Sequence, residues 1–226
     1  MRLNVWAYET LKEQLLDGRY EFDEPLSVEL LCKELRVSKQ PVMQALRTLA
    51  TDGLVTIIPQ VGCRVALYSI EEFKDFLRVL AATEGATAEM AAARRSNAQL
   101  SELETEMRAI ERITFGQGTP EEMKEEIRNF RLLNRQFHET IHQMAGASMV
   151  DQVSRKMWDL RDFVQFQTVP AEANALYERT ESDHEDLFRA ITEQDALRAR
   201  AVAERHCLSV LEFLAADDSG KNLRHR

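Results

Sequence analysis

From Ser69 almost to the C-terminus, apolar residues recur at helical spacing and no alternating strand pattern interrupts them. A stretch of that length buries its apolar stripes by packing helix on helix, so the larger part of the chain is expected to be an all-helical bundle. Its helices are expected over 70–94, 98–114, 120–145, 149–168, 181–193 and 195–215. Two of the starts carry capping patterns, "SIEE" at 69–72 and "TPEE" at 119–122, in which a hydroxyl and a later carboxylate satisfy free amide groups. Pro120 takes the first helical position, where its missing amide proton does no harm. "FGQGTP" at 115–120 and "VPAEANALYERT" at 169–180 read as breaks.

The first 68 residues have a different texture. A helix over about 3–17 is followed by "SVELLCKELRVSKQPVMQALRTLATDGLV" at 27–55. Ser27 is placed to cap a short helix packed through Val28, Leu30, Leu31 and Leu35, and Arg36 and Val37 form a turn. Ser38 is placed to cap a second helix, whose Val42, Ala45, Leu46 and Leu49 make an apolar face, while Lys39, Gln40, Met43, Gln44 and Arg47 project elsewhere. "LVTIIPQVGCRVALY" then alternates β-branched residues around a turn, the pattern of two short strands. Two helices, a tight turn and a two-stranded wing make a winged helix-turn-helix. Such a module sets the start of its second helix against base edges. Ser38, Lys39, Gln40, Gln44 and Arg47 are therefore the expected contacts to double-stranded DNA, with Gln60, Gly62 and Arg64 of the wing following the minor groove.

The chain's net charge of −9 weighs against such a partner. The acidity is unevenly distributed, however: residues 1–68 hold 8 Lys and Arg against 9 Asp and Glu, and 69–226 hold 21 against 29. A near-neutral head can still present one basic face, although it gains little from non-specific attraction. The competing reading is a winged helix used only for protein contacts.

The expected organisation is a DNA-binding domain at 1–68, a helical domain at 69–218 and a polar tail at 219–226. No basic leader and no long apolar run occurs, so neither export nor a membrane span is expected and the chain is placed in the cytoplasm. Cys32, Cys63 and Cys207 are odd in number and widely separated, which argues against a disulfide framework or a thiolate metal knuckle.

The run "VSKQPVMQALRTLATDGLV" with the later "GCRV" resembles the DNA-binding domain of GntR-type bacterial transcriptional regulators. "FLRVLAATEGATAEMAA", "NRQFHETIHQMAG" and "DHEDLFRAITEQDALRARAVAERH" resemble the all-helical FCD effector domain of the family's FadR-like branch. The resemblance implies a homodimeric, ligand-responsive repressor or activator. Three departures bear on DNA contacts: Met43 and Gln44 stand where the family usually has Arg-Glu, Glu29 stands where a number of members carry Arg, and Lys39 stands where Arg is usual, keeping charge but losing a rigid two-pronged donor.

Asn134 and His138 are four residues apart and share a helix face, while His184 and His206 lie on later helices. Histidines from separate helices of one bundle are suitable metal ligands, although each taken alone reads as a hydrogen-bonded bundle residue. The resemblance implies that His138, His184 and His206 match three imidazole ligands of a divalent metal, zinc or nickel, with Asn134 in place of the usual Asp. Asn donates only a neutral carbonyl oxygen, which leaves the site more positive. His142 is the reserve ligand.

The effector is expected to be a small organic or sugar acid. The resemblance implies that Arg78, in "FLR" on the first bundle helix, is its anchor, with Arg161 a second donor and Trp158 a wall; Glu84 reads as a surface or interhelix charge, and Phe137 and Leu187 as packing. Three imidazoles and an oxygen also resemble a hydrolytic zinc site. The sequence contains no H-E-x-x-H, G-x-S-x-G or phosphate-cradling glycine motif, so a regulator rather than an enzyme is expected.

Overall fold

A computed structural model describes residues 2–113, 119–168 and 174–214. The described residues are mainly α-helical, with one small sheet near the N-terminus. They fall into two compact units, one of residues 2–70 with 159–168, the other of 71–158 with 174–214.

In the first unit, α1 (Leu3–Leu16) packs on α3 (Lys39–Thr51), with α2 (Val28–Leu35) between them in sequence. Ser27 caps α2 by accepting from the Leu30 amide, and Arg36 ends it in a left-handed conformation that turns the chain toward α3. Ser38 occupies the cap position of α3 but makes no side-chain capping bond, contrary to expectation. Its hydroxyl is thus left at the exposed start of the helix. Val42, Leu46 and Leu49 of α3 are buried with Leu11 and Leu15 of α1.

β2 (Val55–Ile58) and β3 (Gly62–Val65) form the wing, antiparallel with Val55 opposite Val65. The sequence patterning missed a third strand, β1 (Pro25–Leu26), which pairs with the outer side of β3. Gly53, at φ +83°, turns the chain from α3 into the wing, and the Tyr68 hydroxyl donates to its carbonyl. An added Cβ there would lie 2.8 Å from that hydroxyl. Residues 159–168 complete this unit: Phe163 meets the edge of Phe22, and Asp159 pairs with Lys12.

The second unit comprises α4 (Ile70–Arg94), α5 (Asn97–Ile110), α6 (Pro120–Ala145), the first part of α7 (Ser148–Thr168), α8 (Asn174–Thr192) and α9 (Ala196–Ser209), with a closing 3-10 turn at Val210–Glu212. α5 packs on α6 and α8, and α8 on α9. The Thr119 and Glu122 capping box starts α6 and Gly146, at φ +62°, ends it.

Two arginines at the end of α4 satisfy carbonyls left free at helix ends. Arg94 donates to Ala145 at the end of α6, and Arg95 to Ile191 and Thr192 at the end of α8. α8 begins earlier than its sequence suggests, because Leu176 and Tyr177 are buried and Tyr177 sits edge-on to Phe130. The expected tail at 219–226 and the break at 115–118 lie outside the described residues. Among the described residues, no helix is long and apolar enough to cross a membrane.

Candidate functional sites

The DNA-facing candidates divide cleanly by environment. Ser38, Lys39, Gln40, Gln44 and Arg47 are all exposed, on the side of α3 opposite its buried residues. Among the described residues, Lys39 and Arg47 form no ion pair, so their charges are available to phosphate. Gln60, at φ +63°, and Gly62, at φ +145°, are exposed in the wing turn. Arg64 is differently placed. It lies within β3 and grips Asp23 with two nitrogens, at 2.6 and 3.1 Å, so the wing tip presents Gln60 and Val61 instead.

In the second unit, α6, α8 and α9 bring His138, His184 and His206 together, with ring nitrogens all within 4.8 Å of one another. Each is at most 2% exposed. The Nε2 atoms of His138 and His206 face each other at 3.2 Å. Two imidazoles on one tetrahedral ion at ~2.0–2.1 Å would hold their nitrogens about 3.3 Å apart, so this spacing fits a shared cation. Asn134, one helical turn before His138, is also buried, and its Oδ1 has no hydrogen-bond donor. A buried oxygen without a donor, one helical turn from His138, has the chemistry to accept a cation.

Aromatic rings fix the histidines in place. Phe137 stacks on His184 at 4.3 Å between centroids, and Trp158 tilts over His138 at the same separation. Phe137 reads from sequence as packing, and in the structure it also holds the ring of His184.

Carboxylates stand behind two of the rings. Glu84 Oε2 is 3.8 Å from His138 Nδ1, and Asp183 Oδ2 is 3.8 Å from His206 Nδ1. Burial pushes the Glu84 carboxyl up, but the His142 hydrogen bond and charge, with Ser154 and Trp158, outweigh it and hold the group below its ordinary range. Asp183 is likewise pushed up by burial and held down by His206 and Arg205. Both are therefore carboxylates at neutral pH.

His142 does not join the cluster. Its Nε2 lies 3.0 Å from both Glu84 oxygens, and Ser154 donates to one of them at 2.6 Å. The sequence offered no pairing for Glu84, 58 positions away, and left Asp183 unremarked although it directly precedes His184.

The expected effector contacts are only partly brought together. Trp158 lines a narrow cleft with a free volume of about 10 Å³ together with His138 and His142. Arg78 does not reach it: the guanidinium is exposed, pairs with Asp75 at 2.8 Å and borders an open groove beside Val79 and Ala82. Arg78 lies six residues before the inward-facing Glu84, an offset of about 240° around the helix. Arg161 is buried against Asp162, in the segment grouped with the N-terminal unit. The cations at the cleft are instead Arg135 and Arg155. Arg135 covers the Trp158 ring at 5.6 Å and donates to the Arg155 carbonyl, while Arg155 pairs with Asp151. Arg135 was identifiable as a residue three before His138 on the same helix stripe.

A winged helix-turn-helix head with an exposed second helix, joined in one chain to a helical domain, is the architecture of a DNA-binding transcriptional regulator. The family comparisons agree: residues 4–65 match the model described as "Bacterial regulatory proteins, gntR family", and residues 75–209 match the FCD domain. The chain belongs to the GntR family of bacterial transcriptional regulators and carries an FCD domain.

Among its relatives, the HTH-type transcriptional repressor GlaR of Escherichia coli K12 is 24% identical over 211 residues, covering 92% of this chain and 94% of its own. The repressor RspR of the same organism is 24% identical over 214 residues, covering 93% and 88%. Escherichia coli McbR/YncC has a similar fold, with a TM-score of 0.71 at 18% identity over 94% of this chain and 98% of its own. A putative GntR regulator from Rhodococcus sp. RHA1 gives 0.73 at 16% identity over 92% and 95%. These relatives are regulators, and the chain is a regulator rather than an enzyme.

Proposed function

We propose that this regulator acts in the cytoplasm as a homodimer on operator DNA, and that a small carboxylate metabolite controls it by binding at a divalent metal held by Asn134, His138, His184 and His206. The observation that carries the reading is the convergence of three buried imidazoles from three helices on one point. Their nitrogen donors favour zinc or nickel over harder cations. A bound ion would supply a Lewis-acid centre for the effector carboxylate. Arg135 and Arg155 at the cleft attract the anion, and Trp158 walls it.

Val79 on α4 and Met149 and Val153 on α7 are large apolar side chains left exposed, which supports burial of this unit against a second copy. α7 supports coupling. Ser154 and Trp158 lie beside the histidines, and the same unbroken helix continues into 159–168, which belong to the N-terminal unit. Both named relatives are repressors, which favours repression as the sign of control.

Selection of bound duplexes from a random pool, with and without zinc and a panel of organic acids, tests the reading. Enrichment of a two-fold symmetric site, released or tightened by one acid only in the metal-loaded protein, is the expected result. Protein prepared without a histidine tag should hold close to one ion per chain. If it takes up no divalent ion, the metal centre is wrong even where DNA binding survives.

A further inference from the structure

The proposed ligands leave a charge problem. Three imidazoles and a carboxamide are all neutral, and Asn134, His138, His184 and His206 are each at most 3% exposed. A divalent ion among neutral buried donors would keep its whole charge in a poorly polarisable interior, which is strongly unfavourable unless counter-charge stands nearby.

Two buried carboxylates are placed to supply it. Glu84 comes from α4 and Asp183 from α8, exposed by only 3% each. Each lies 3.8 Å from the Nδ1 of a cluster histidine, Glu84 behind His138 and Asp183 behind His206. The opposite nitrogens of those two rings, their Nε2 atoms, are the pair that face each other at 3.2 Å. The arrangement is therefore the same on both sides: carboxylate, Nδ1, Nε2, and then the shared point.

Both carboxylates are anchored from behind. Glu84 accepts from Ser154 and lies against His142 Nε2, and Asp183 accepts from Arg205 through Nε and NH2 at 2.9 and 2.6 Å. Neither position is that of a ligand, because the group of donors within mutual reach contains the three histidines alone among the His, Cys, Asp and Glu of the described residues.

We propose that Glu84 and Asp183 are positioning residues for the metal, each at 3.8 Å acting by its charge rather than through a hydrogen bond to favour the Nδ1-protonated form of its histidine, so that Nε2 keeps a free lone pair, and together supplying the negative charge that the four neutral donors lack. The inference rests on the metal reading above. Partners of this kind orient ligands and raise their basicity, and their loss commonly weakens metal binding by about 10–100-fold. Asn134 is the natural control, since an acid there would put one charge back among the donors themselves.

The test uses the full-length protein stripped of metal. Zinc affinity is measured by competition with a chromophoric chelator, and cobalt loading by its visible ligand-field absorption, for the wild type, Glu84→Gln, Asp183→Asn, Asn134→Asp and the double variant Asn134→Asp/Glu84→Gln. Each amide variant is expected to lose about 10–100-fold in zinc affinity. The added Asn134→Asp change is expected to recover most of the loss in Glu84→Gln. Recovery by a charge on a different helix is something a purely structural role for Glu84 would not produce.

Zinc affinities of both amide variants within about threefold of wild type would overturn the proposal, given losses of at least about 10-fold where such partners matter. Failure of Asn134→Asp to recover any affinity would overturn the charge argument. Should Glu84→Gln lose its helical circular dichroism, Asp183→Asn alone decides, because its carboxylate is held by a different anchor. A wild type that takes up neither zinc nor cobalt sinks the metal reading itself, and this result is distinct from ion uptake that is insensitive to both carboxylates.

Discussion

Replacing Lys39 with Ala should weaken DNA binding in a manner that salt reveals. Lys39 is the first residue of α3, is exposed and, among the described residues, has no carboxylate partner. A phosphate contact made by such a side chain releases condensed counterions and contributes about 0.9 to the slope of log affinity against log salt. With two heads on a two-fold operator the loss is about 1.8, so between about 50 and 200 mM salt the advantage of wild type over variant should shrink about 12-fold. Arg64→Ala should change the slope by less than half as much. Its guanidinium is already held bidentately by Asp23, and that pair must be broken before phosphate is engaged. Fluorescence anisotropy on the selected operator at four or more salt concentrations measures both slopes. An unchanged slope for Lys39→Ala, or a larger change for Arg64→Ala, would refute the assignment of α3 as the phosphate-reading edge.

Leu46→Ala empties a site that is 1% exposed in the head's core and should cost ~2–5 kcal/mol, lowering the melting temperature of the N-terminal unit, whereas Lys39→Ala melts like wild type. Phe137→Ala removes a fully buried ring stacked on His184, so calorimetry should show a loss of ~3–5 kcal/mol and zinc titration a weaker site. Burial pushes the Cys63 thiol up to about 11, which leaves about one thiol in a thousand ionised near pH ~8, and iodoacetamide should label it only on unfolding. The folded state therefore holds this proton more tightly than the unfolded chain. The stability it contributes is complete below pH ~8.5 and declines as pH rises toward about 11, which denaturant titrations at several alkaline pH values will show.

Parts of this protein could be read from sequence because the deciding interactions are local. α6 starts and stops where its sequence indicates, since Thr119, Pro120, Glu122 and Gly146 act within a turn of their own positions. The recognition helix was equally readable from the spacing of Val42, Ala45, Leu46 and Leu49, all four of which are buried. β1 escaped because two residues cannot show an alternation, and only pairing with β3, nearly forty positions on, makes Pro25 and Leu26 a strand. The start of α8 escaped for a related reason. Its first turns look like a linker until Tyr177 meets Phe130, and tertiary burial then decides what local propensity leaves open.

The same division runs through the site. Spacing placed Asn134 and His138 on one face, and the FCD resemblance nominated the later histidines, but which charged residue of α4 turns inward depends on the helix's rotation about its axis. Arg78 and Glu84 are both on that helix, and only the carboxylate meets His142, Ser154 and the back of His138. A buried charge is tolerated where partners from other helices satisfy it, and those partners are contributed by α6 and α7. The inward position on α4 therefore suits a group that imidazoles and a hydroxyl can jointly stabilise, and a guanidinium there would add buried positive charge that these neutral groups do not offset.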